Sequence, residues 1–164
     1  MRHFLLIFLS VLLFSPLKGT IMRNISFSEI DQNFHVELIV SSIDNLTFIQ
    51  LNEYFPSGWE LVSEEISPLN PTIANDSITW TLPNNSQLPV TFSYKVIPAE
   101  SDNRNVNFSG NLVGWDKTTF TYVENTIQGD NELHKLSLNT SDFGTVSKST
   151  KSEWILDGAE ITLE

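Results

Sequence analysis

The residue types most often used in catalysis are sparse in this chain and form no recognisable catalytic pattern. Two of its three histidines, His35 and His134, lie beyond the N-terminal segment, and neither has a second candidate ligand at metal-site spacing. The adjacent acids Glu64 and Glu65 would diverge on a strand, whereas glycoside hydrolysis needs two converging carboxyl groups. Nucleophile-elbow, phosphate-loop and zinc-protease motifs are absent from the sequence. The sequence therefore predicts a protein that is not an enzyme.

Oxygen-bearing side chains suited to a hard cation occur in two predicted loops. Carboxylate and amide oxygens are the ligands that Ca²⁺ takes in proteins, although the spacing here matches no twelve-residue calcium loop. The candidate ligands are Asp102, Asn103 and Asn105 in the first loop and Asp130 and Glu132 in the second. Calcium is therefore kept as an alternative ligand, and no other cofactor is predicted.

One of the four tryptophans is placed where it could bind a ligand. Trp80 has the parity of core residues and Trp59 follows a Pro-Gly turn, so both are predicted to pack inside the protein. Trp115 falls in a predicted hairpin turn, where a large ring would be partly exposed. Because aromatic rings stack on the apolar faces of sugars, Trp115 with Asp116 and Lys117 as polar neighbours forms a candidate carbohydrate-binding site.

Alternation of apolar and polar residues dominates the chain from residue 24 onward, and helical spacing is almost absent. The eight predicted strands begin near residues 25, 34, 46, 59, 77, 90, 106 and 120. They are short and are separated by clusters of Pro, Gly and Asn, as is typical of sandwich folds. The chain has no cysteine, so packing without disulfides must hold the fold together. We predict an all-β fold, a single immunoglobulin-like antiparallel β-sandwich that follows an N-terminal signal peptide.

The strand pattern also predicts where single side chains face and where strands begin and end. In the third strand, Ile49 and Leu51 are predicted to face the core and Phe48 the opposite side. Residues 63–76 contain two prolines and are predicted to be a connection. The seventh strand is predicted to run without interruption through residues 106–112, and the eighth to include Phe120 and Tyr122.

The N-terminus predicts export from the cytoplasm. Arg2 and His3 precede an eleven-residue apolar run at positions 4–14. A membrane-spanning helix needs about 20 apolar residues, whereas the core of a secretory signal needs about 7 to 15. Residues 1–20 are therefore predicted to be a signal peptide, with an uncleaved anchor as the alternative. The expected location is secreted, periplasmic or cell-surface, and the chain would contact a membrane only through an uncleaved N-terminus.

The charge of the chain argues against nucleic acid as a partner. The net charge is −11, and removal of Arg2 and Lys18 with the signal peptide makes it more negative. Binding to phosphate backbones depends on clustered Lys and Arg, and so does binding to anionic membrane surfaces. A nucleic-acid partner is therefore not expected.

The rest of the chain divides into three predicted regions. Residues 21–134 carry the strand pattern, and residues 135–152 are polar and rich in small side chains, as linkers are. Residues 153–164 regain apolar character around Asp157 and Gly158, a dipeptide common in hairpin turns. This last region is predicted to add a strand or hairpin to the sandwich, because burial of Trp154 and its aliphatic neighbours is favourable.

Three consecutive segments together resemble a known family. They are the motif Glu53-Tyr54-Phe55-Pro56-Ser57-Gly58-Trp59, the strand at residues 78–82 and the tyrosine-bearing strand at residues 91–96. Their order is similar to that of repeat-type immunoglobulin-like domains of bacterial and archaeal surface proteins, whose motif is acid-x-Leu-Pro-x-Gly. Phe55 stands where leucine is usual in that motif. The resemblance implies a non-catalytic extracytoplasmic module and transfers no ligand-binding residue to this chain.

The leading functional prediction is therefore an exported structural or adhesive β-sandwich of the envelope or cell surface. Its expected partner is an envelope or surface protein, or a glycan. The first alternative is a carbohydrate-binding module that uses an exposed Trp115. The second is an interaction domain that calcium stabilises.

Overall fold

A computed structural model describes residues 20–28, 30–68, 70–83, 86–99, 105–135 and 154–156, which form thirteen β-strands. In chain order these are β1 (Thr20–Ser28), β2 (Asn33–Ser42), β3 (Leu46–Tyr54), β4 (Glu60–Ser67), β5 (Thr72–Ala74), β6 (Ser77–Leu82), β7 (Val90–Ile97), β8 (Val106–Asn107), β9 (Ser109–Asp116), β10 (Thr121–Thr126), β11 (Gln128–Gly129), β12 (Glu132–Lys135) and β13 (Trp154–Leu156). Within the described ranges, no helix has the length and apolar character needed to cross a membrane. All but the last residue of the predicted signal peptide, 1–20, lies outside these ranges.

Two five-stranded sheets pack face to face around one hydrophobic core. Sheet 1 has the strand order β11-β1-β2-β7-β4, and sheet 2 has the order β10-β9-β3-β6-β5. Alternate residues of the central strands, such as Leu38 on β2 and Leu51 on β3, are fully buried between the sheets. This confirms the predicted all-β sandwich. One pair of strands departs from the antiparallel prediction, because β1 and β11 are parallel.

A small third sheet, in the order β13-β12-β8, covers one part of the core. Trp154 of β13 is buried and meets Trp59 edge to face, with ring centroids 5.3 Å apart. The Lys135 ammonium lies 4.8 Å from the centre of the Trp154 ring. Of the C-terminal region 153–164, the structure describes only strand β13, Trp154–Leu156. The rest of that region, and the linker from residue 136 onward, lie outside the described residues.

The predicted connection at residues 63–76 is wrong, because two strands occupy most of it. Strand β4 continues to Ser67 along β7, and β5 forms a hairpin with β6. The pairing of β4 with β7 shifts register between Val62 and Ser67. That irregularity breaks the period of two, so the sequence pattern does not reveal the second half of β4.

The predicted seventh strand is also wrong, because it is two strands in different sheets. β8 belongs to the third sheet and β9 to sheet 2, with Phe108 between them. The Phe108 ring is buried edge to face against Trp59. Since Val106, Phe108 and Leu112 are all buried, alternation continues through the break, and the sequence gives no sign of it.

The ends of β9 and β10 differ from the prediction in a way that matters for the candidate site. Trp115 lies within β9 and not in the turn, which is formed by residues 117–120. Phe120 ends that turn with a positive φ of 54° instead of starting the strand. Tyr122 does lie in β10, directly opposite Trp115. Both aromatic rings of this pair therefore project from the same side of sheet 2.

A β-bulge in β3 directs a large aromatic residue outward. The pairing of β3 with β9 shifts register between Thr47 and Gln50, and Phe48 has a positive φ of 52°. As a result Leu46 and Ile49 are both buried although they are three residues apart. Phe48 points away from the core, as predicted from its parity.

Candidate functional site

An ion pair inside the sandwich joins the two sheets. Arg23 of β1 and Glu53 of β3 are both fully buried. The guanidinium donates from Nε to Glu53 Oε1 at 2.9 Å and from Nη2 to Oε2 at 2.8 Å. The Tyr94 hydroxyl, from β7 of sheet 1, donates to the same Oε1 at 2.9 Å. This bidentate geometry is the strongest arrangement for an arginine and a carboxylate, and it ties β3 to two strands of sheet 1.

The remaining contacts of Arg23 fix the neighbouring chain segments. Its Nη1 donates to the carbonyl oxygens of Phe108 at 3.4 Å and Asp130 at 3.2 Å. Asp130 in turn accepts the backbone N–H of Ile25 through Oδ2 at 2.9 Å. The Asp130 N–H donates to the Arg23 carbonyl at 3.0 Å. Arg23 therefore also holds the segments between β8 and β9 and between β11 and β12 against the Arg23–Glu53–Tyr94 cluster.

Two glycines allow the backbone to approach this cluster closely. A Cβ atom on Gly110 would lie 2.5 Å from the Asn52 carbonyl oxygen and 2.6 Å from Glu53 Oε2. Gly129 has a positive φ of 96°, and a Cβ atom there would overlap the Arg23 carbonyl. Side chains at these positions would displace the ion pair or β1, so both glycines serve the packing of the cluster.

Burial sets the protonation of the cluster. It raises the pKa of Glu53 to about 7, and the charge and hydrogen bond of Arg23 oppose the rise only in part. Burial and the negative charge of Glu53 raise the pKa of Tyr94 well above its ordinary value, so its hydroxyl stays a neutral donor. Because these groups are closed off from solvent, the arrangement stabilises the fold and does not present a reactive group to a substrate.

The exposed aromatic residues of sheet 2 form an open hollow of about 350 Å³ on its outer face. Its lining consists of Phe48, Gly114, Trp115 and Tyr122. The Phe48, Trp115 and Tyr122 side chains are 80%, 41% and 63% exposed, respectively. The hollow thus combines three rings from β3, β9 and β10. Sequence reasoning found Trp115 but not the other two rings as its neighbours, because their meeting depends on the strand register.

The two predicted polar neighbours of Trp115 have different positions. Asp116 is fully buried, and its Oδ1 accepts the backbone N–H groups of Thr118 at 2.7 Å and Thr119 at 3.2 Å. This carboxylate shapes the β9–β10 turn and does not flank the hollow, which corrects the prediction for Asp116. Lys117 is exposed in the turn, where its N–H donates to the Asn45 carbonyl at 3.0 Å. Lys117 is therefore exposed to solvent but does not line the hollow.

A row of polar side chains crosses four strands on the same outer face. Three hydrogen bonds build this polar row: Thr79 Oγ1 donates to Asn52 Oδ1 (2.9 Å), Asn52 Nδ2 to Asn111 Oδ1 (2.9 Å) and Asn111 Nδ2 to Glu124 Oε1 (2.6 Å). Val113 lies on β9 between Asn111 and Trp115 and is buried. Sequence reasoning missed the polar row. The available signal was parity, since Asn52 alternates with the core residue Leu51.

The predicted calcium ligands lie only in part within the residues that the structure describes. Asp102 and Asn103 lie outside the described residues, and Asn105 is exposed just before β8. Asp130 Oδ2 is engaged by the Ile25 N–H, and Glu132 Oε1 lies 3.8 Å from His134 Nε2. Among the described residues, no three His, Cys, Asp or Glu side chains are grouped to hold a metal ion. The calcium site stays a prediction.

Comparisons with known proteins reveal a likeness of fold. No family model matches the sequence, and no curated protein is significantly similar to it. A structure of domains D2 and D3 of the major pilin SpaD from Corynebacterium diphtheriae aligns with a TM-score of 0.50 and 9% identity, over 68% of this chain and 50% of that two-domain chain. A GH20 exo-β-N-acetylglucosaminidase from Vibrio harveyi aligns with a TM-score of 0.45 and 12% identity, over 68% of this chain and 18% of the enzyme. The pilin match supports the β-sandwich fold.

Proposed function

We propose that this chain is a non-catalytic structural or adhesive module of the cell surface. The observation that carries the proposal is the Arg23–Glu53–Tyr94 cluster, in which hydrogen bonds inside the core join the two sheets and no member of the cluster faces solvent. A fold likeness to domains of a major pilin supports the same reading, as does the signal-length apolar run at positions 4–14.

The chemistry of the outer face favours binding over hydrolysis. Glycoside hydrolysis uses two carboxyl groups on either side of the scissile bond. Among the described strand residues that point outward from sheet 2, Glu124 is the one carboxylate. Glu53, on the other side of β3, is closed off from solvent. A face with this composition can hold a ligand without cleaving it.

The surface location is tested by fractionating cells that produce the full chain with a C-terminal tag. We expect the tagged protein in the exported or surface fraction, and we expect a variant lacking residues 1–20 to stay in the cytoplasm. Protection of the full-length protein from protease added to intact cells, together with its recovery in the cytoplasm, would contradict the proposal.

A second candidate function is carbohydrate binding at the aromatic hollow. It is favoured by one specific observation, the grouping of Phe48 and Tyr122 around the exposed Trp115 ring. Aromatic rings on an exposed sheet face present flat apolar surfaces, which suit the C–H faces of sugars. Single exposed aromatic residues are common on proteins, but three around one hollow mark a binding surface.

Tryptophan fluorescence tests this second candidate. Addition of a binding sugar should change the emission of the wild-type protein, and Trp115→Ala should abolish the change while the melting temperature stays the same. Phe120→Ala is the matched control, because Phe120 is an exposed ring in the adjacent turn that does not line the hollow. Equal responses of Trp115→Ala and the wild type would exclude the hollow as the binding site.

A further inference from the structure

The outer side of β3 carries an aromatic residue at each end. Phe48 lies at the hollow, and Tyr54, 47% exposed, lies at the opposite end of the strand. Gln50 and Asn52 lie between them on the same side. At about 3.4 Å per residue, the two rings are separated by roughly 20 Å along the strand. This distance exceeds the size of one sugar ring, so a ligand touching both ends must be an extended chain.

The side chains between the two aromatic ends can bind hydroxyl groups. Each amide of Asn52 and Asn111 uses one N–H and one acceptor position within the polar row, and each retains a second N–H and a second lone pair. Glu124 is exposed and keeps further acceptor positions on its carboxylate. The row therefore offers both donors and acceptors, and its internal bonds hold these groups in place.

We propose that the outer face of sheet 2 binds an extended, uncharged oligosaccharide that lies along β3 and β9. The hollow around Trp115 holds one end of the sugar chain, and Tyr54 stacks on a sugar near the other end. Asn52, Asn111 and Glu124 bind hydroxyl groups in between. The proposal rests on carbohydrate binding at the hollow, the second candidate function above, and adds the class of ligand and its path across the face.

Charge and hydrogen-bonding capacity favour this ligand over other polymers. The net charge of −11 and the exposed carboxylate of Glu124 repel anionic polysaccharides and nucleic acids. Sugar hydroxyls both donate and accept, which matches a row of amide, hydroxyl and carboxylate groups. An added peptide strand would instead pair with the backbone at the edge of a sheet, and so would not depend on side chains in the middle of this face.

The test compares short and long probes on the intact protein. Disaccharides and hexasaccharides of glucose, of mannose and of N-acetylglucosamine are titrated by calorimetry against the wild type and three variants of the binding face, Trp115→Ala, Tyr54→Ala and Asn111→Ala. We expect at least one hexasaccharide to bind about tenfold more tightly than its disaccharide. The longer probe reaches Tyr54, and one additional stacking contact changes the affinity by about this factor. Tyr54→Ala and Asn111→Ala should remove this advantage of length, whereas Trp115→Ala should weaken both probes.

The outcomes distinguish binding along the whole outer face from binding at the hollow alone. Thr72→Ala, on the outer side of the edge strand β5, is the control and should bind like the wild type; melting temperatures verify that every variant is folded. Hexasaccharide binding that depends on Trp115 but not on Tyr54 or Asn111 would overturn the extended path and leave the hollow as a sugar site. Absence of binding to all three hexasaccharides would overturn both. A hexasaccharide of galacturonic acid is titrated in the same way, and tighter binding of this acidic probe than of the three neutral hexasaccharides would overturn the assignment of an uncharged ligand.

Discussion

Polar side chains on the two sides of strand β3 lie in different environments, one buried and the other open to solvent. On the inner side, Glu53 is enclosed, ion-paired to Arg23 and hydrogen-bonded by Tyr94. On the outer side, the adjacent Asn52 belongs to an open row of amide and hydroxyl groups beside exposed aromatic rings. One strand therefore contributes to the stability of the sandwich with alternate residues and to a candidate binding surface with the others.

Burial, more than residue type, decides what a polar group can do in this sheet. Glu53 and Glu124 are both glutamates in sheet 2, but burial raises the pKa of Glu53 to about 7, and both its oxygens accept hydrogen bonds inside the core. Glu124 is exposed and keeps acceptor capacity for a ligand. Changes on the inner side should therefore alter stability, and changes on the outer side should alter binding.

The largest expected effect follows from removal of the arginine. Arg23→Leu takes away both bonds to Glu53 and leaves the carbonyl oxygens of Phe108 and Asp130 without their donor. We expect the free energy of unfolding to fall by about 4 kcal/mol, measured by urea denaturation at neutral pH. Met22→Leu is the control, since the neighbouring Met22 is on the exposed side of β1. Equal stability of Arg23→Leu and the wild type would show that the ion pair does not hold the sheets together.

The second effect is a dependence of stability on pH. The pKa of Glu53 rises from 4.5 to about 7 on folding, so between these values the folded state binds more protons than the unfolded state. The contribution of Glu53 to the free energy of unfolding is complete below pH 4.5. It is lost as pH rises through about 7, and the total loss is up to about 3 kcal/mol. Urea denaturation at several pH values measures it. Glu53→Gln, measured at the same pH values, should not show this loss of stability. Identical pH profiles of the two proteins would contradict the assignment of the pH dependence to Glu53.

A smaller effect is expected at the third member of the cluster. Tyr94→Phe keeps the ring and removes the hydroxyl that donates to Glu53 Oε1. Loss of one hydrogen bond to a charged group should lower the free energy of unfolding by about 2 kcal/mol. Because that bond favours the ionised carboxylate, the pKa of Glu53 should rise further, and the pH-dependent loss of stability should move to higher pH. A shift to lower pH would argue against this hydrogen bond.

The smallest effect on stability is expected on the outer side. Phe48→Asn replaces an exposed ring at a positive φ with a residue that tolerates this backbone conformation. The free energy of unfolding should change by less than about 0.5 kcal/mol, as measured by urea denaturation. Sugar binding at the hollow should weaken in the same variant. A loss of several kcal/mol would mean that Phe48 is part of the packing of the fold.

Much of the sandwich could be predicted from alternation alone. The apolar parity of β2, β6 and β7 matches the buried residues of those strands. The same parity also marked the ion pair, because Glu53 has the parity of the core residues Ile49 and Leu51, and Arg23 has that of Ile25. A charged residue at a core position of a strand predicts a buried partner of opposite charge. Glu53 also fits the acid position of the turn motif at residues 53–59, and this second explanation hid its core parity.

The remaining features of the fold and the candidate site depend on strand register and on breaks between strands, which alternation does not encode. The bulge at Phe48 shifts the register between β3 and β9, and the break between β8 and β9 places consecutive strands in different sheets. The aromatic hollow and the polar row exist only in the observed register, which pairs Trp115 with Tyr122 and Asn52 with Asn111. Register is set by long-range packing and by bulges, and a single sequence gives little information about either.

The most direct test of the account compares two alanine substitutions at adjacent positions, Asn52→Ala and Glu53→Ala. For each variant, urea denaturation gives the free energy of unfolding, and calorimetry gives the affinity for the hexasaccharide that the wild type binds. We predict that Glu53→Ala lowers stability by about 4 kcal/mol and leaves the affinity of the folded protein unchanged. Asn52→Ala should lower stability by about 1 kcal/mol and weaken binding. Equal losses of stability in the two variants, or loss of binding in folded Glu53→Ala alone, would contradict the division of roles between the two sides of β3.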